Sequence, residues 1–230
     1  MPMDVPAIMS AVGLSLLCGA AAVGLCLPPG VATAWVLARH RFRGKPVVEL
    51  LVMLPVVVPP VVTGYVLLKL LGNAGPLGGV LPGAGLVFTW IGAAVAQAVV
   101  AFPFLVITLR VAFAGVDRDL ERAALTFGAS RWRAFWTVTL PLSWHGLAAG
   151  CLLAFARALG EFGATIIVAG NIEGQTRTLP LAIYSALQTP GGDATAAGLA
   201  VVAVALAAAA LGGQRLLGGK VSGEKAGASI

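Results

Sequence analysis

Two oppositely charged side chains, Arg157 and Glu161, lie four residues apart within an otherwise apolar segment. On a helix this spacing places both side chains on one face. Charged groups at membrane depth are costly, and they normally pair with each other or line a water-filled cavity. Two interpretations stay open: an ion pair that fixes helix packing, or a pathway lining in which Arg157 attracts an anion.

Other polar side chains in apolar surroundings could line the same pathway. The segment 55–65 holds three prolines and ends in polar residues. Prolines are tolerated in membrane helices where neighbours or a cavity satisfy the freed carbonyl groups. The segment is therefore either a kinked packing helix or a broken helix that lines a pathway. We take four further residues as pathway candidates: Thr63, Tyr65, Thr165 and Asn171.

Combinations of residues typical of enzymes are absent from the sequence. It contains no His-Glu-x-x-His motif, no pair of aspartates within an apolar segment and no Ser/His couple there. No cysteine neighbours a His, Asp or Glu at a metal-ligand spacing. The segment 218–221, Gly-Gly-Lys-Val, lacks the hydroxyl residue of a phosphate-binding loop. We therefore predict no catalytic residue, metal site or cofactor on this chain, and an intramembrane enzyme is the alternative of another class.

The composition is that of a membrane protein. Hydrophobic residues make up 59% of the chain and charged residues 10%, and the mean hydropathy is +0.95, whereas soluble domains carry about 25% charged residues. Five apolar segments are long enough to cross about 30 Å of hydrocarbon. They are residues 8–38, 47–71, 86–109, 146–169 and 194–211. We predict an all-α integral membrane protein with about five transmembrane helices, the first one long and kinked at its prolines.

The distribution of basic residues predicts the orientation. Most of the 15 Lys and Arg lie in the connections 39–45 and 110–133 and after residue 214, whereas the connection 72–85 has no charge. Lys and Arg mark cytoplasmic loops, so the N-terminus is predicted outside and the C-terminus inside. Because these residues alternate with apolar segments, they form no nucleic-acid-binding patch. The chain is divided into one transmembrane domain, 1–217, with a cytoplasmic loop at 115–141, and a flexible cytoplasmic tail, 218–230.

The cytoplasmic loop is the most informative segment. Leu120, Ala124 and Phe127 are spaced as one apolar stripe of a short helix, which acidic residues precede and Gly128 can end. Such a helix, held at the membrane surface, could dock against a soluble partner. After it come three aromatic residues spaced as a belt that faces lipid headgroups: Trp132, Phe135 and Trp136.

The loop resembles the EAA loop of permease subunits in bacterial ATP-binding-cassette importers. That pattern is Glu-Ala-Ala, three residues, Gly, nine residues, Ile, one residue, Leu-Pro. This sequence has Arg122-Ala123-Ala124, Gly128 and Val138-x-Leu140-Pro141 at the same spacing. It departs from the pattern at Arg122, where the family has Glu, and Glu121 lies one place earlier. In the family the loop inserts into a cleft of the ATPase subunit. The resemblance thus implies that the coupling contact is made by Glu121, Arg122, Ala123, Ala124, Phe127 and Gly128.

A longer stretch, 55–192, resembles molybdate permease subunits. The resemblance rests on the segment 57–65, the segment 167–184 and the Thr-Pro-Gly-Gly run at 189–192. Sulfate permeases share the Gly-Glu-aromatic-Gly run at 160–163. The family implies a multi-pass protein of the bacterial inner membrane that works as a homodimer in contact with lipid. It also implies two ATPase subunits, which bind ATP and Mg, and a periplasmic or extracellular oxyanion-binding protein. Molybdate or tungstate is the expected substrate, and sulfate or thiosulfate is the alternative.

Overall fold

The computed structural model describes residues 5–73, 75–77 and 85–218, and every regular element within these ranges is helical. The prediction of an all-α protein is confirmed. The predicted flexible tail, 218–230, lies outside the described residues except for its first residue, which ends the last helix. The uncharged connection 72–85 is described only in part.

Eleven α-helices and one π-helical segment follow one another along the described part of the chain. They are α1 (Val5–Arg39), α2 (Lys45–Val57), α3 (Pro60–Leu71), α4 (Trp90–Gly115), α5 (Arg118–Thr126), α6 (Arg131–Ala134), the π-helix Phe135–Thr139, α7 (Leu140–Leu142), α8 (Trp144–Leu159), α9 (Gly163–Ala169), α10 (Leu179–Leu187) and α11 (Asp193–Gly218). Three of them, α1, α4 and α11, are long and apolar enough to cross a membrane. The number rises to five if two bent pairs each count as one span: α2 with α3, and the segment 131–142 with α8. This agrees with about five crossings; the orientation of the chain stays a prediction.

Helix α1 is a single helix of 35 residues that runs through Pro28 and Pro29. At 1.5 Å per residue it is about 52 Å long, more than the hydrocarbon thickness. Its main neighbour is α4. The buried residues of α1 recur every three or four positions and are mostly small: Ala7, Ala11, Ser15, Cys18, Gly19, Ala22, Cys26, Gly30, Ala34 and Leu37. Small residues let two helices approach closely in lipid, where no hydrophobic force drives them together.

The second apolar segment is broken and is not one kinked helix, whereas its role in lining a pathway stays a prediction. Helices α2 and α3 meet at an angle of 110°. Val58 and Pro59 have extended backbones with ψ of 133°, and each precedes a proline. A residue before proline is driven out of the helical region, so two such residues in succession end α2 and redirect the chain.

The fourth apolar segment differs from the prediction of one continuous helix at 146–169. Residues 160–162 separate α8 from the short helix α9, and α8 begins earlier, at Trp144. Gly160 ends α8, and the carboxylate of Glu161 accepts a hydrogen bond from the Ala164 N–H at 2.8 Å, which satisfies a free donor at the start of α9. No proline lies at this break, and hydropathy alone does not predict it.

Helix α10 lies between the fourth and fifth apolar segments, where hydrophobic length predicts no membrane span. Leu179, Leu181, Ala182 and Ala186 are buried, and α10 packs on α11 and α1. The Leu179 N–H donates to Ser15 Oγ at 2.6 Å, which ties the start of α10 to α1. Its nine residues are too few for a membrane span, and a search for 20-residue segments therefore misses it.

Candidate functional site

The two broken segments meet where α3 packs on α9. Gly64 of α3 lies so close to Ala164 that a Cβ at position 64 would be 2.8 Å from the Ala164 Cα. Gly163 is approached in the same way by Pro60. Two interrupted helices are thus held in backbone contact, an arrangement that membrane transporters use at substrate sites.

Replacing Gly64 with alanine is expected to force α3 away from α9, because the two nearest atoms it would meet are the Cα and carbonyl oxygen of Ala164, backbone atoms that cannot rotate aside. Overpacking of this kind costs about 1–3 kcal/mol. Thermal unfolding of the purified protein measures the loss. Gly13→Ala in α1 is the matched control, since no atom lies within 4 Å of a Cβ there. Equal unfolding temperatures for the two variants would contradict the close approach.

The Arg157–Glu161 pair forms next to this contact. Arg157 Nη2 lies 2.8 Å from Glu161 Oε2, and the side chains are 28% and 2% exposed. Both carboxylate oxygens are engaged, since Oε1 accepts from the Ala164 N–H. The ion pair that the sequence suggested is therefore present, and the carboxylate also holds the start of α9. A role for Arg157 in attracting an anion stays a prediction.

The other four pathway candidates do not share one environment. Thr63 of α3 and Thr165 of α9 are buried at this junction, and Thr165 Oγ1 has no hydrogen-bond partner among the described residues. Tyr65 is exposed, and Lys69 Nζ lies 5.6 Å from its ring centroid. Asn171 follows α9, where it donates to Ser185 and accepts from Arg177. Its bonds therefore tie the connection after α9 to α10.

A second candidate site is α5, the predicted coupling helix, which has no buried residue. Asp117 caps its start by accepting from the Asp119 N–H at 2.9 Å. At its end Gly128 has φ of 87°, and the Gly128 and Ala129 N–H groups donate to the carbonyls of Leu125 and Ala124. This is a Schellman motif, so the predicted helix stop at Gly128 is confirmed.

The exposed face of α5 is shifted from the predicted stripe. Phe127 is 90% exposed, and Leu120 and Ala123 are exposed as well, whereas Ala124 is half-buried. The apolar face available to a partner is therefore Leu120, Ala123 and Phe127, about one residue's rotation from the stripe that included Ala124. We call these three residues the docking face.

The Glu121 side chain faces α1 and the π-helix of the same chain. Its Oε1 lies 2.8 Å from Arg39 Nη2 at the end of α1 and accepts from Thr139 Oγ1 at 2.5 Å. Arg39 also donates to the Val116 carbonyl at 3.0 Å. Arg122 instead pairs with Asp119 at the surface, 2.8 Å away. Contact of Glu121 and Arg122 with an ATPase subunit stays a prediction, but in this structure Glu121 fastens α5 to α1.

The predicted aromatic belt is wrong for one of its three members. Trp132 and Trp136 are exposed, whereas Phe135 is only 4% exposed and makes edge contacts with Trp35 and Phe113. The π-helix that begins at Phe135 adds a residue to the turn, and helical spacing then no longer predicts which side chains share a face.

Helices that can cross a membrane, two broken segments in backbone contact and the exposed amphipathic helix α5 are features expected of a membrane component of a transport system. The chain belongs to the family described as "Binding-protein-dependent transport system inner membrane component", whose model matches residues 30–223. It is an inner membrane protein of that family. This membership favours transport over the alternative of an intramembrane enzyme.

Several relatives are similar over most of their length. The chain is 50% identical over 200 residues to the molybdenum transport system permease protein ModB of Escherichia coli K12, covering 86% of this chain and 87% of that one. It is 45% identical over 202 residues to the ModB of Mycobacterium tuberculosis, covering 87% and 76%. Among solved structures, a bacterial transporter that imports alginate matches with a TM-score of 0.62 at 19% identity, over 92% of this chain and 80% of that one. This last likeness supports the fold alone.

Proposed function

We propose that this chain is the permease subunit of an ATP-driven importer that carries molybdate, or its close analogue tungstate, across the inner membrane. The observation that carries the proposal is the 50% identity to the E. coli molybdenum permease along 87% of that protein. The two interrupted helices that pack on each other, α3 and α9, support it, because transporters build substrate sites from discontinuous membrane helices.

A sulfate or thiosulfate importer is the second candidate. The chain is 40% identical over 161 residues to a protein of Chlorokybus atmophyticus described as a probable sulfate transport system permease. That match covers 69% of this chain and 56% of the relative, less than the matches to the molybdenum permeases of E. coli and M. tuberculosis. Molybdate is therefore the favoured substrate.

The proposed assembly contains two copies of this chain, two ATPase subunits and an external binding protein that delivers the oxyanion. The sequence has no phosphate-binding loop, so ATP and Mg are assigned to the ATPase subunits and no cofactor to this chain. About five spans make half of a two-fold pathway, which favours a homodimer. The docking face on α5 is the surface we assign to the ATPase subunit.

Uptake into liposomes that contain this chain, its ATPase and its binding protein tests the proposal. We expect ATP-dependent accumulation of molybdate that excess sulfate leaves unchanged. The matched control replaces ATP with a non-hydrolysable analogue and should give no accumulation. Molybdate uptake abolished by sulfate would move the assignment to the second candidate. Failure to accumulate either oxyanion with ATP would contradict both substrates.

A further inference from the structure

A basic cavity of about 250 Å³ lies between the end of α1, the inner side of α5 and α6. Arg39, Arg118, Arg122 and Arg131 line it, together with His40 and a single carboxylate, Glu121. The docking face is on the opposite side of α5. A ligand in this cavity and an ATPase subunit on the docking face would therefore not compete for the same side chains.

Two of these arginines have uncompensated charge. Arg39 neutralises Glu121, and Arg122 is paired with Asp119 outside the cavity. No carboxylate in the described ranges lies within 4 Å of Arg118 or Arg131, and Arg118 donates only to the Ala38 carbonyl, at 3.4 Å. In addition, Arg39 Nε and His40 Nδ1 are buried without a partner in the described part of the chain. The cavity therefore favours an anion.

An apolar groove of about 500 Å³ adjoins the basic cavity, and Trp35 and Phe135 line both. The groove runs along α1 from Leu27 to Val36. At 1.5 Å per residue this is about 14 Å, close to the depth of one leaflet, which is half of about 30 Å. The exposed Trp132 and Trp136 form its outer wall, and tryptophan is typical of the membrane interface.

We propose that the cavity and groove together bind one anionic phospholipid of the leaflet on the basic side. Its phosphate lies against Arg118 and Arg131, and one acyl chain lies in the groove between α1 and the π-helix. Basic pockets between membrane helices on the cytoplasmic side are suited to acidic headgroups. A free oxyanion would use the cavity alone, and a second copy of the chain would use the groove alone, whereas a phospholipid uses both. The bound lipid would hold α5, and hence the docking face, at the membrane surface whichever oxyanion is transported.

Quenching of tryptophan fluorescence by brominated lipids tests this site, because three of the five tryptophans line it: Trp35, Trp132 and Trp136. The full-length chain is placed in phosphatidylcholine nanodiscs with a small fraction of either brominated phosphatidylglycerol or brominated phosphatidylcholine. We expect stronger quenching by the glycerol lipid at equal mole fraction. The variant Arg118→Gln/Arg131→Gln should lose this preference by about fivefold for each arginine removed. Arg133→Gln is the matched control, since Arg133 is exposed on the same short helix and does not line the cavity.

Four results would overturn the proposal. Equal quenching by the two lipids, or a preference that survives in the double variant, would mean that the headgroup is not recognised there. Quenching by neither lipid would mean that a second copy of the chain covers the groove. A preference that excess inorganic phosphate removes at constant ionic strength would identify a free-anion site instead.

Discussion

Replacing Ala123 with arginine is expected to abolish ATP-driven uptake while leaving the protein folded in the membrane. Ala123 is exposed at the centre of the docking face, and no residue of α5 is buried, so the long side chain finds room in the isolated chain. In a complex the same side chain would occupy the surface assigned to the ATPase subunit. Disruption at the centre of an interface typically costs about 2 kcal/mol or more, roughly a thirtyfold loss of affinity. Co-purification of the ATPase and molybdate uptake are the measurements.

Gly115→Arg provides the matched control for this substitution. It adds the same charge at the end of α4, where no atom lies within 4 Å of a Cβ. We expect normal ATPase binding and uptake from the control and neither from the Ala123 variant. If both variants bind the ATPase equally, the docking face has been assigned to the wrong side of α5.

Composition and hydrophobic length predicted the membrane spans but could not predict where two of them break. In the second span the break follows from local chemistry, since Pro59 and Pro60 exclude the residues before them from helical geometry. In the fourth span it depends on the contacts of Glu161, which caps α9 and pairs with Arg157. Such contacts depend on the folded geometry, and a hydropathy pattern does not contain them.

In the coupling helix α5, too, the features set by neighbouring residues could be predicted from the sequence, whereas the contact with a distant residue could not. Its start at Asp117 and its stop at Gly128 are set by residues within the segment, and both could be predicted. Arg39 lies 82 positions before Glu121, and the sequence suggested for it only a role in orienting the chain. Charge complementarity is the one signal that could have linked them, and many other basic residues satisfy it equally well.

The Arg157–Glu161 pair can be separated into its structural and transport roles by charge removal. Glu161→Gln is expected to destabilise the protein by about 3 kcal/mol, because it leaves the partly buried Arg157 without a counter-charge. Glu173→Gln is the matched control: it breaks an ion pair with Arg177 at the same spacing, but Glu173 is 57% exposed, so the loss should be below about 1 kcal/mol. Thermal unfolding in detergent measures both.

The double variant Arg157→Gln/Glu161→Gln then decides what the arginine does. It removes both charges, and glutamine keeps an oxygen that can accept the Ala164 N–H. We expect both the stability and the molybdate uptake of this variant to be close to those of the unmodified protein, because both carboxylate oxygens serve helix packing in this structure. Restored stability with uptake still absent would contradict a purely structural pair. The positive charge would then act on the transported anion, and the water-filled part of the pathway would reach Arg157 through its 28% exposed side.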